Sequence, residues 1–199
     1  MIIHELKCIF IHCQKCAGES IEMALCGEAD NKYNGDPFLG SPMKHANLKY
    51  FKENFPFEYK NYFKFTIVRN PYDRFISWVK YRDKRLKLYN GNLNYDVLNY
   101  ELRKIPFNKA NYTKMLNLNS FFNLTRRNEL DFIGRFENLE EDFRYIKEKL
   151  SLLRDLPHIN KSSEEKVHYS TFYNDSLQRK CRKVFKKDLD YFGYKFEKK

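Results

Sequence analysis

A short apolar run, Lys7-Cys-Ile-Phe-Ile-His12, leads into a loop carrying Gly18 and Ser20 and then into Ile21-Glu-Met-Ala-Leu25, which has helical character. Strand, tight loop and helix N-terminus follow one another within the first 25 residues. A second strand signal, Tyr62-Phe-Lys-Phe-Thr-Ile-Val68, is ended by Arg69-Asn70-Pro71, because Pro71 drives Asn70 out of helical conformation while suiting the first turn of a helix. A third is Asp131-Phe-Ile-Gly-Arg-Phe-Glu137. Helical spacing is expected over residues 45–55, 72 to about 88, 139–153 and 175–191, and more weakly over 94–105 and 113–122. Residues 27–42 and 156–163, with their Gly, Asn, Asp and Pro, read as irregular connections. Strands alternating with helices predict an α/β fold with a central parallel β-sheet flanked by helices. With 199 residues and no linker, repeat or low-complexity stretch, the chain 1–199 reads as a single domain.

Lys and Arg outnumber Asp and Glu by 37 to 26, a formal net charge of +11 that suits an anionic partner. Charge alone does not choose among nucleic acid, a phosphorylated nucleotide and an acidic glycan, and a solvated basic surface accounts for it equally well. A chain that is 42% hydrophobic and 17% aromatic is not a disordered one. No apolar run approaches the roughly 18 residues of a transmembrane segment. His4, Glu5 and Lys7 interrupt any leader pattern, so a cytoplasmic location is expected. Five cysteines, an odd number, point to reduced thiols rather than a disulfide framework.

The first loop reads His12-Cys-Gln-Lys-Cys-Ala-Gly-Glu-Ser20. At a strand-to-helix turn, backbone N–H groups and the positive end of the helix dipole converge on one spot, a ready anion site. Lys15 adds a full charge, Ala17 and Gly18 allow close approach of the backbone, and Ser20 supplies a hydroxyl. This is not a Walker A loop, in which the Lys follows the second glycine; here Lys15 precedes Gly18. By itself it serves equally as a structural turn. Arg69 at the end of the second strand, with Ser77 eight residues later, supplies a fork of donors and a hydroxyl suited to a second phosphate. Two anion sites at two strand ends fit a nucleotide phosphorylated at two places.

With both elements in view, the sequence resembles the cytosolic and Golgi sulfotransferase superfamily, especially its carbohydrate-type branch. Phe10-Ile-His-Cys-Gln-Lys-Cys-Ala-Gly-Glu-Ser-Ile21 resembles the family's 5′-phosphosulfate loop, and Phe65-Thr-Ile-Val-Arg-Asn-Pro-Tyr-Asp-Arg-Phe-Ile-Ser77 its 3′-phosphate motif. The likeness continues through residues 133–143, 156–162 and 188–194, in the expected order. It implies a P-loop, nucleotide-kinase-like sulfotransferase fold and transfer of a sulfuryl group from 3′-phosphoadenosine 5′-phosphosulfate, leaving 3′-phosphoadenosine 5′-phosphate. No metal is expected. Lys15, Cys16, Ala17, Gly18, Glu19 and Ser20 would line the 5′-phosphosulfate, with Lys15 assisting departure of the bridging oxygen. Arg69 and Ser77 would hold the 3′-phosphate, and Lys161 and Ser162 would belong to a loop closing over the donor. Gln14 replaces the usual Pro, and Glu19 the usual Thr; a carboxylate there repels the donor unless it turns away or meets a basic group. His45 falls between the two motifs, where the carbohydrate enzymes carry a His, and is assigned as general base. The implied acceptor is a hydroxyl on a glycan or a small molecule, with no nucleic acid.

His12 is read as a core or loop-support residue, and Glu137 as an orienting one. Two rival readings stand beside this one. Cys13-Gln-Lys-Cys16 at a strand-to-helix turn is the setting of a thioredoxin-like redox motif, but that leaves Arg69 and Ser77 unexplained. A basic nucleic-acid-binding module would use residues 80–87 and 179–187, yet no standard nucleic-acid motif is present.

Overall fold

A computed structural model describes residues 1–27, 45–105, 129–157 and 167–199. The chain divides into two compact units: Met1–Arg69 with Phe121–Asn160, and Asn70–Ser120 with Lys161–Lys199.

The first unit is built on a four-stranded sheet in the order β1 (Ile2–Ile3), β2 (Cys8–Ile11), β3 (Phe63–Val68) and β4 (Phe132–Arg135). Pairings β2–β3 and β3–β4 are parallel, as the alternation of strands and helices predicts. The fold is α/β, with one departure from the expected parallel sheet. Ile2 and Ile3 pair antiparallel with Ile9 and Cys8, through a tight turn in which the Lys7 amide donates to the His4 carbonyl at 3.1 Å, and this makes the sheet mixed. A two-residue edge strand has no periodicity to announce it. All four residues of β2 are buried, the mark of a strand covered on both faces.

Helix α1 (Gly18–Cys26) follows β2 and buries Ile21, Ala24 and Leu25. It ends at Gly27, whose φ of 83° lets its amide close back on the Met23 carbonyl. The helix expected over 45–55 begins later, as α2 (Leu48–Asn54), because the Asn47 side chain caps it by accepting from the Tyr50 amide. Pro56 then opens α3 (Pro56–Asn61), a helix missed in the sequence because it buries no side chain and so has no apolar stripe. The third strand is shorter than residues 131–137: after Arg135 the chain tightens into a 3₁₀ turn, Phe136–Asn138, and enters the helix that begins at Leu139.

In the second unit, α4 (Pro71–Leu86) starts as read, with Pro71 in its first turn and the Asn70 side chain accepting from the Tyr72 amide at 3.2 Å. The second unit continues with α5 (Tyr95–Lys104), capped by Asn94. In the first unit, α6 (Leu139–Lys149) is shorter than residues 139–153, since Ser151 takes a left-handed φ of 52°. The second unit ends with α7 (Asp175–Val184), capped by Asn174, and α8 (Lys186–Phe192). The single basic helix expected over 175–191 is thus two, parted at Phe185, whose φ and ψ of −99° and 16° depart from the helix and whose ring is buried. Phe75, Val79, Leu98, Leu102, Leu177, Cys181 and Leu189 form this unit's core. The Asn70 amide also donates to the Lys195 carbonyl at 2.8 Å, tying the start of α4 to the C-terminal segment. The helix expected over 113–122 lies outside the described residues. Among the described residues no helix is long and apolar enough to cross a membrane.

Candidate functional site

Parallel strands β2 and β3 run in register, Ile11 beside Thr66, so both end at the same edge of the sheet, where α/β folds place their ligands. Thr66 ties the two ends together: its hydroxyl donates to the Ile11 carbonyl at 2.7 Å and lies 3.3 Å from Cys13 Sγ. The loop after β2 is held in a costly backbone shape. Lys15 and Ala17 both adopt left-handed φ, 63° and 57°, at roughly 1–2 kcal/mol each for a residue with a Cβ. Strain of this kind persists where surrounding contacts impose it, and it gathers at ligand sites.

One such contact comes from the second motif. Arg69, just past β3, donates from Nη1 to the Lys15 carbonyl at 3.0 Å, and its guanidinium lies 3.9 Å from the centre of the Phe136 ring. Two motifs that sequence could only place in order are therefore joined in space. Ala17 is the N-cap of α1 and provides no side-chain cap, so the amides of the first turn, Gly18 to Ser20, keep the electropositive character of a helix start. Lys15 is half-buried, and its pKa lies below the ordinary lysine value. Desolvation is the main cause, Arg69 adds to it, and the Glu19 carboxylate opposes it. The donor set of ammonium, helix-start amides and guanidinium fits a phosphate or phosphosulfate group and supplies no features of a redox or metal centre.

His45 stands at the same sheet end. Its Nδ1 lies 3.1 Å from the His12 carbonyl oxygen. A carbonyl can only accept, so Nδ1 carries the hydrogen, and a neutral His45 keeps its lone pair on Nε2. His12, read as a support residue, is buried; it stacks on Phe10 and donates from Nδ1 to Glu22 Oε1 at 2.7 Å. Glu22 is fully buried and was not singled out in the sequence, although a carboxylate between Ile21 and Ala24 on the apolar face of α1 is an anomaly that could have marked it. Gly18 is required by the same ring: a Cβ there would lie 1.8 Å from His12 Nε2. Gly18→Ala is expected to lower stability by about 1–3 kcal/mol through overpacking, read as a fall in the denaturation midpoint.

Cys13 and Cys16 are both 1% exposed, and Cys16 Sγ donates to the Gln14 carbonyl at 3.4 Å. A redox pair needs an accessible thiol, which neither offers. None of the five cysteines forms a disulfide. Among the described residues no group of three or more His, Cys, Asp or Glu is arranged to hold a metal ion. Ser77 is buried on α4 in the second unit, while Arg69 closes the first. Lys161, Ser162 and His158 lie outside the described residues.

A family model described as "Sulfotransferase family" matches residues 1–195. Neither a search of curated proteins nor one of solved structures finds a match.

Proposed function

The chain belongs to the sulfotransferase family, and from that premise we propose that it transfers a sulfuryl group from 3′-phosphoadenosine 5′-phosphosulfate to a hydroxyl, the acceptor being a carbohydrate. On this reading the whole chain, 1–199, acts as one sulfotransferase domain. The observation that supports it most is the bond from Arg69 to the carbonyl of Lys15, 54 residues away, which joins the end of β3 to the loop after β2.

The donor, when bound, supplies the sulfuryl group. Lys15, the loop residues Cys16 and Ala17 and the first-turn amides of α1, Gly18 to Ser20, hold the 5′-phosphosulfate, and Lys15 offsets the negative charge that grows on the departing phosphate. Arg69 and Ser77 hold the 3′-phosphate, with the guanidinium suited to two oxygens at once. Lys161 and Ser162 are assigned to donor binding by the family resemblance alone. His45 accepts the proton of the acceptor hydroxyl at Nε2 while the His12 carbonyl steadies the imidazolium through Nδ1. No metal takes part, because fixed cations and amides do the work of charge stabilisation. The basic balance of the chain suits an acidic glycan better than a neutral alcohol.

The test is calorimetric titration followed by a transfer assay. Binding of 3′-phosphoadenosine 5′-phosphate is expected to be at least about a hundredfold tighter than binding of AMP, since the lost 3′-phosphate leaves charged donors unanswered. Labelled sulfate should then move from the donor to a glycan acceptor in a screen. Equal affinity for the two nucleotides would overturn the reading.

A further inference from the structure

We propose that the buried His12–Glu22 pair is a positioning device for His45, holding the wall against which that imidazole keeps the tautomer needed of a base. The proposal rests on the reading of His45 as the base and adds two residues that act through it.

The pair is poorly explained by stability. Glu22 is 0% exposed and His12 5%, with 2.7 Å between Nδ1 and Oε1. Taking a carboxylate out of water costs several kcal/mol, which even a close partner repays only in part, and replacing both members of such a pair by apolar side chains of similar volume is often neutral or stabilising. Placement accounts for the pair more fully. His12 meets His45 twice: its carbonyl accepts from His45 Nδ1, and its ring lies edge-on to the His45 ring, centroids 4.6 Å apart at 68°. The remaining sides of the His12 ring are closed. Phe10 stacks on it with centroids 5.6 Å apart, Glu22 holds Nδ1, and Gly18 approaches Nε2 so closely that no Cβ fits between them.

A ring fixed on three sides cannot retreat, so the His45 ring cannot turn about its Cβ–Cγ bond without meeting it. A half-turn would also bring Cδ2 against the His12 carbonyl and forfeit the hydrogen bond. Nδ1–H stays on the carbonyl, and the lone pair of neutral His45 stays on Nε2. Because Gly18 opens α1, the same ring links the placement of the base to the phosphate loop.

Glu22→Leu tests this, with Glu22→Gln as its conservative counterpart and His45→Ala in parallel. In Glu22→Leu the thermal midpoint should fall, because the buried His12 Nδ1–H loses the Glu22 acceptor. Its kcat should fall by about tenfold or more while affinity for 3′-phosphoadenosine 5′-phosphate stays within about threefold. Glu22→Gln, whose amide oxygen still accepts from His12 Nδ1, should recover most of the lost kcat. Nitrogen NMR of His45 should show the single Nδ1–H form in the parent protein and a mixture in Glu22→Leu. Full kcat in Glu22→Leu, a loss matched by an equal loss of nucleotide affinity, or an unchanged tautomer would overturn the proposal. If His45→Ala keeps its turnover, the base assignment fails, and the tautomer measurement still decides whether His12 and Glu22 set the ring.

Discussion

Lys15→Ala is expected to lower kcat for sulfuryl transfer by about 10²- to 10³-fold, the range seen when one preorganised donor is removed from a site of developing charge. Affinity for the donor should fall as well, because the ammonium attracts the ground state too. The pH dependence distinguishes Lys15 from a bystander cation. Burial, aided by Arg69 and opposed by Glu19, puts its pKa below the ordinary lysine value. The form that attracts an anion is the protonated one, present at pH below this lowered pKa. As pH rises through that value the cation is lost, so affinity for 3′-phosphoadenosine 5′-phosphate should decline on the alkaline side at a lower pH than an ordinary lysine would give. Binding of the anion draws the proton back, so on that limb calorimetry in buffers of different ionisation enthalpy should register proton uptake. Lys15→Arg should remove the alkaline decline, since a guanidinium does not titrate there, while binding less well at neutral pH because its fork does not reproduce a point charge. An alkaline limb that survives in Lys15→Arg would assign it to another group.

The part of this site legible in the sequence was its order along the chain. Lys7 to His12, a loop, and a helix opening at Gly18 state a strand, a tight turn and a helix start by local chemistry, and Pro71 after Arg69 states where a second strand ends. Local chemistry could not state that Lys15 and Ala17 are left-handed, because the contacts that impose this shape come from elsewhere, Arg69 among them. The requirement for Gly18 is of the same kind. A glycine in such a loop reads as backbone freedom, yet its φ is not what demands it; the buried His12 ring is. Helix lengths failed where a tertiary contact ended a pattern early, as at Phe185, whose buried ring parts α7 from α8. Glu22 was passed over because a carboxylate in an amphipathic helix is assigned to the solvated face by default, and only its partner across the loop shows why it is inside.

His45→Ala is expected to lower kcat by about 10²- to 10⁴-fold, the usual contribution of a general base, and to leave nucleotide affinity nearly unchanged. That separation follows from where the side chain is held. His45 is bonded through Nδ1 to the His12 carbonyl, whereas the groups proposed to hold phosphate are Lys15, Arg69 and the start of α1, so on that reading deleting the imidazole withdraws no anion donor. His45→Asn is the sharper variant. Its amide nitrogen, one bond beyond Cγ like Nδ1, can still donate to the His12 carbonyl, preserving the local fold, but asparagine offers no basic nitrogen to take a proton. If His45 acts only by bracing the loop, His45→Asn should work nearly as well as the parent and His45→Ala poorly. If it takes the acceptor's proton, both variants should be slow to a similar degree, with their affinities for 3′-phosphoadenosine 5′-phosphate intact. Comparing kcat in the two variants therefore decides between a structural and a catalytic histidine at one position, whichever acceptor the assay employs.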